Sequence, residues 1–167
     1  MIAYSRAAVL LVVALPHPAR LNGQNGCLLL SAAEVKAITN EQPTRSRSSV
    51  GDRLAYKDFQ CSHRSENWRV EVHLERGRDA AGVKAYMKNV TAVVSQTTGN
   101  SAKAIPGLGD QAWWGPIDPT NGILHVVKGN DVLWIQTWGK APGAGSLEKT
   151  RALMERVLSN YKNFPSS

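Results

Sequence analysis

Two Gly-Asp pairs raise the first chemical question in this chain. Gly109-Asp110 sits in Gly107-Leu108-Gly109-Asp110-Gln111-Ala112-Trp113-Trp114, and a shorter copy of the phrase, Gly51-Asp52, sits in residues 50–56. Two carboxylates can do acid–base work or hold a cation, and His125 would complete a hydrolase-like set with Asp52 and Asp110. Aspartate after glycine has another use: it accepts hydrogen bonds from the backbone of its own turn. A turn used twice speaks for scaffolding. Gly51, Asp52, Gly109 and Asp110 are therefore expected to be structural turns.

The remaining chemistry is sparse. His17, His63, His73 and His125 show no metal-ligand spacing. Ser146-Leu147-Glu148-Lys149 matches S-x-x-K, but without its S-D-N and K-T-G companions it reads as a helix start capped by Ser146. Zinc-protease, nucleophile-elbow, phosphate-loop and dinucleotide fingerprints are all missing from the sequence. No catalytic residue, cofactor or metal is expected from these patterns.

The tryptophans point to binding instead. Trp113 and Trp114 are adjacent on a strand, so they face opposite sides. One of them should turn away from the core unless a second layer covers it. An exposed Trp near Arg69 and His125 would suit a sugar, a peptide or a charged surface. Trp134 and Trp138 share a strand face and read mainly as core.

The elements that must position these residues follow from periodicity. Ser31-Ala32-Ala33-Glu34 is a capping box that opens a short helix stopped near Asn40. Residues 41–49, with Pro43 and three serines, read as an exposed loop. Residues 54–62 are β-like, and Trp68, Val70, Val72 and Leu74 alternate with polar residues as in a half-buried strand. Val83, Tyr86, Met87, Val90 and Val94 recur at helical steps over residues 80–95. Residues 123–128 and 131–138 flank Gly129-Asn130 as a hairpin. A last amphipathic helix spans residues 146–161, and a tail from about 163 onward should fray. Strand runs between helices imply an α+β fold: an antiparallel sheet with helices on one face, built from two related helix–strands units in one domain over residues 24–162.

Residues 1–23 look like an export leader, with Arg6 before nine apolar residues from Ala7 to Leu15. The cleavage site is not marked by small residues. The full chain carries a formal charge of +7; loss of the leader, which holds Arg6 and Arg20 and no acid, leaves +5. That balance favours anionic neighbours. No run is long enough to span a bilayer, and no nucleic-acid motif is present. Cys27 and Cys61 are the only cysteines. In an exported protein they are expected to form one disulfide closing a loop of about 35 residues. Gly26-Cys27 also ends like a lipobox, but Gln24 stands where Leu is expected, and a lipid on Cys27 would compete with the bridge.

These residues resemble a family. Cys27-Leu28-Leu29-Leu30-Ser31-Ala32-Ala33-Glu34-Val35, then Cys61, then Ile105-Pro106-Gly107-Leu108-Gly109-Asp110-Gln111-Ala112-Trp113, then Val127-Lys128-Gly129, is similar to a broad set of small exported bacterial proteins and lipoproteins of unknown function. The resemblance covers roughly residues 27–160 and carries no catalytic signature. The motifs say nothing about activity; from the chain as a whole the expectation is a non-enzymatic binding or interaction protein of the cell envelope, periplasmic or secreted. The partner would be a protein or an anionic envelope component. The alternatives are a small hydrolase-like enzyme and an inhibitor or immunity-type protein.

Overall fold

The computed structural model describes residues 25–98 and 102–165. The expected leader lies outside them. Three helices, α1 (Ala32–Thr39), α2 (Ala80–Thr98) and α3 (Leu147–Tyr161), accompany seven strands: β1 (Arg45–Asp52), β2 (Lys57–Arg64), β3 (Trp68–Arg76), β4 (Lys103–Ala104), β5 (Gln111–Asp118), β6 (Asn121–Lys128) and β7 (Asp131–Gly139). The strands form one antiparallel sheet in the order β1-β2-β3-β7-β6-β5-β4. This is the expected α+β class. No helix among the described residues is long and apolar enough to cross a membrane.

Strand alternation divides the sheet into two faces. On the first, Phe59, Val70, Val72, Leu74, Leu124, Val126, Leu133 and Ile135 are buried against Leu29, Leu30 and Val35 of the α1 region and Leu153, Met154 and Val157 of α3. On the second, α2 lays Met87 against Val127 and Val132, with Val83, Tyr86 and Trp113 around them. The expectation that all helices share one face is therefore corrected: α1 and α3 cover one side, α2 the other. The reason lies in β6 and β7. Val126-Val127 and Val132-Leu133 are buried consecutively, so apolar side chains project from both surfaces and both need cover.

The duplicated plan is visible in the strands only. β1-β2-β3 and β5-β6-β7 are both three-stranded meanders, and they meet antiparallel where β3 pairs with β7. The two Gly-Asp phrases do not correspond: Gly51-Asp52 ends β1, whereas Gly109-Asp110 precedes β5.

Local signals explain most boundaries. Ser31 accepts from the Glu34 N–H, and the Glu34 carboxylate takes the Ser31 N–H at 2.8 Å. Burial alone would raise the Glu34 pKa, but the Ser31 N–H, the Asn160 amide and Arg156 together bring it below the usual value. Asn40 ends α1 in the left-handed region. Asp79 caps α2 through the Gly82 N–H, and Ser146 caps α3, which accounts for the S-x-x-K match. Residues 45–49 are a strand, not the expected loop. They escape periodicity because β1 is an edge strand with no buried side chain.

Both ends of the described stretch are tied down. Cys27 and Cys61 form the expected disulfide, with Cα atoms 4.8 Å apart. It joins a 3₁₀ turn, Gly26–Leu28, to β2. A bridge of this kind belongs to an oxidising compartment. At the other end the tail does not fray at residue 163. Phe164 is buried and meets Phe59 edge to face at 5.2 Å, and Arg76 reaches the Pro165 carbonyl.

Candidate functional site

The second sheet face can be read row by row from the strand register. One row runs Arg45, Arg64, Arg69, Trp138, Asn121 across β1, β2, β3, β7 and β6. The next runs Arg47, Ser62, Glu71, Gln136, Ile123. A third runs Ser49, Gln60, His73, Trp134, His125, Trp113. α2 covers the β5–β6 end of this face. Over β1, β2 and β3 it stays open and polar, with Arg45, Arg47, Arg64 and Arg69 exposed.

The first row is a cationic strip ending on an aromatic ring. At about 4.8 Å per strand, Arg45 to Trp138 spans roughly 14 Å. The Arg69 guanidinium lies 4.9 Å from the centre of the half-buried Trp138 ring and also pairs with Glu71. Arg45 and Arg64 have no ion-pair partner among the described residues. A shallow depression of about 320 Å³ opens beside them, lined by Arg64, Glu66, Asn67, Arg69, Trp138 and Lys140.

The third row is structural at its centre. His73 stacks on Trp134 with ring centres 3.6 Å apart, and its Nδ1 lies 3.4 Å from the buried Asp58 carboxylate. That separation is long for a hydrogen bond, and Asp58 Oδ1 has no other partner among the described residues. Burial holds the His73 pKa below its ordinary value, outweighing the pull of Asp58. At the covered end, the Tyr86 hydroxyl meets His125 Nδ1 at 2.9 Å. Burial drives the His125 pKa down to about 4 and the Tyr86 pKa upward. Arg78 lies over the rings of Tyr56 and Tyr86 at 4.0 and 5.1 Å and pairs with the buried Glu75 at 2.5 Å.

The sequence-predicted residues do not assemble into one site. Trp114 belongs to the first face and is 6% exposed, its ring lying where a side chain on Gly122 would stand. Trp113 is on the second face, but α2 supplies the second layer that covers it. His125 lies beneath the same helix. Only Arg69 keeps the exposed position expected of it, beside Trp138 instead of Trp113. Asp110 accepts from the Gly129 N–H at 2.7 Å and from Lys128 Nζ at 2.9 Å, not from its own turn. The Gly129 N–H, then Lys128, hold its pKa below the usual carboxylate range. Gly109 beside it has φ +58, and a side chain there would strike the Val127 carbonyl. Asp52 is exposed opposite Lys57 at the end of the edge strand. Asp52, Asp110 and His125 thus have separate surroundings and share no reaction centre.

His63 is a core residue. Its Nε2 donates to the Leu30 carbonyl at 2.7 Å, and its Nδ1 accepts from Ser46 at 2.7 Å. Potential ligand atoms of Cys27, Cys61 and His63 lie within 4.8 Å of one another, but the two sulfurs are bonded to each other and neither is a thiolate.

Sequence reasoning missed Arg45, Arg64 and Trp138 as a group. The signal was Trp138 sharing a strand face with Trp134; the missing part was the register that sets β3 and β2 beside it. No protein-family model matches this sequence, and no curated protein matches it.

Proposed function

We propose that this chain is an exported, non-enzymatic binding protein of the bacterial cell envelope, and that it binds an extended acidic polymer along Arg45, Arg64 and Arg69 as far as Trp138. The observation that carries this reading is the alignment of three arginines and one tryptophan in a single transverse row on an open, polar sheet face. Guanidinium groups pair with carboxylates or phosphates in forked geometry, and they suit a linear array of anions. The disulfide supports residence in an oxidising compartment. A lipid surface fits less well, because the exposed large apolar residues Leu28, Val50 and Leu54 do not lie in this row.

Titration calorimetry with alginate oligomers tests the reading. Saturable binding is expected at low salt, weakening steeply as ionic strength rises. Arg45→Gln/Arg64→Gln should weaken it at least tenfold with the fold unchanged by circular dichroism. Equal binding by the double variant, or none by the wild-type chain, sinks the assignment of an acidic polymer to this row.

A further inference from the structure

A cavity of about 450 Å³ lies between α2 and the covered end of the sheet. Its volume is in the range of small-molecule sites, roughly 300–1,000 Å³. Val90, Val94, Ile117 and Ile123 make its walls largely apolar, and His125 lines it from β6. His125 is only 7% exposed.

The ring's hydrogen bonding is half complete. Nδ1 meets the Tyr86 hydroxyl, and Nε2 has no protein partner among the described residues. Among the described residues the Tyr86 hydroxyl has no other acceptor, so its proton goes to Nδ1. The alternative tautomer would leave the hydroxyl proton unused and Nε2 bare. In the favoured arrangement Nε2 carries the hydrogen and is an unspent donor at the cavity wall. This donor is open to the cavity, since Asp58 Oδ1 is the one fully buried side-chain nitrogen or oxygen without a partner among the described residues, and an acceptor on a ligand can take it.

Charge narrows the ligand further. The cationic group at the cavity, Arg78, is held by Glu75 at 2.5 Å. His125 is neutral. Among the described residues that line the cavity no free charge is present to neutralise an ionic ligand, and burying an unpaired ion is prohibitive.

We infer that this cavity binds a small, neutral, largely apolar molecule with one hydrogen-bond acceptor, such as a ketone or ether oxygen, oriented by the Nε2–H of His125. The site is independent of the arginine row, and neither proposal depends on the other.

The test uses prodan, a neutral naphthyl ketone whose emission reports both polarity and hydrogen bonding at its carbonyl. Titration of the full chain should give saturable 1:1 binding with emission blue-shifted from water. His125→Phe should weaken binding about tenfold, the worth of one hydrogen bond, and shift the bound emission further to the blue. Ala85→Trp, placed on an exposed α2 position that lines the cavity, should abolish binding without disturbing the fold. Arg45→Gln/Arg64→Gln should leave it unchanged. No saturable binding by the wild-type chain overturns the inference. So does binding that Ala85→Trp leaves intact, or a bound emission that His125→Phe does not move.

Discussion

The Tyr86 hydroxyl lies 2.9 Å from Nδ1 of His125 and couples the middle of α2 to the covered strand β6. Burial keeps this imidazole neutral in the folded protein down to pH about 4, whereas its ordinary value is 6.5. Between those values the unfolded chain takes up a proton that the folded protein refuses. Stability should therefore fall as pH drops from about 6.5 to about 4, by on the order of 3 kcal/mol from this residue. His63 and His73 are shifted the same way by burial and add to the slope. Urea midpoints measured from pH 7 to 4.5 should show a decline that is shallower in His125→Gln. Equal slopes in the two proteins would refute the account.

Reduction of the Cys27–Cys61 bridge should destabilise the fold. The closed loop spans a sequence separation of 34, which corresponds to about 3–4 kcal/mol under the chain-entropy model. Both sulfurs should resist alkylation until a reductant is added. Thermal melts with and without dithiothreitol, alongside mass spectrometry of alkylated protein, measure the two effects. Free thiols in the unreduced protein would contradict the structure.

The tryptophans should separate into two kinds. Trp114 is buried on the first face against Gly122, so Trp114→Ala should cost about 3–5 kcal/mol. Trp138 is half-buried beside Arg69, and Trp138→Ala should cost roughly 1–2 kcal/mol while weakening polyanion binding. Denaturant titrations distinguish them, and equal losses would remove the basis for assigning Trp138 to the binding row.

Asp131 is a buried hub. It accepts from Arg76 at 3.1 Å, the Gly77 N–H at 2.8 Å and the Tyr161 hydroxyl at 2.8 Å. Asp131→Ala strands the Arg76 guanidinium and should cost about 3–5 kcal/mol. Asp131→Asn keeps an acceptor and should cost less. Hydrogen exchange should show the loss first at Phe164, because Arg76 also holds the tail through the Phe164 ring and the Pro165 carbonyl.

How much of this was legible beforehand depended on how one-sided each segment is. β3 alternates cleanly, and the β6–β7 hairpin carries Gly129 with φ +60, so both could be read from local pattern. The capping box and Ser146 located two helix starts for the same reason. β1 could not be read, because an exposed edge strand of arginines and serines has the composition of a loop. The side taken by α2 was written in the unbroken apolar pairs Val126-Val127 and Val132-Leu133, a two-layer signal that alternation analysis overlooks. The arginine row was beyond any single-segment reading. Arg45, Arg64 and Arg69 become neighbours only through strand register, and Trp138 joins them from the far half of the chain.

The edge strand β1 also bears on whether two copies of this molecule can pair. Among the described residues no further strand pairs with its outer edge, which is an invitation to sheet extension. A second copy adding β1 to β1 in parallel register would set Arg45 and Arg47 beside their own counterparts, with like charges facing across the seam. The residues that draw an acidic chain onto the face would thus also oppose this pairing of two copies. Neutralising them by substitution, or shielding them with salt, removes that guard.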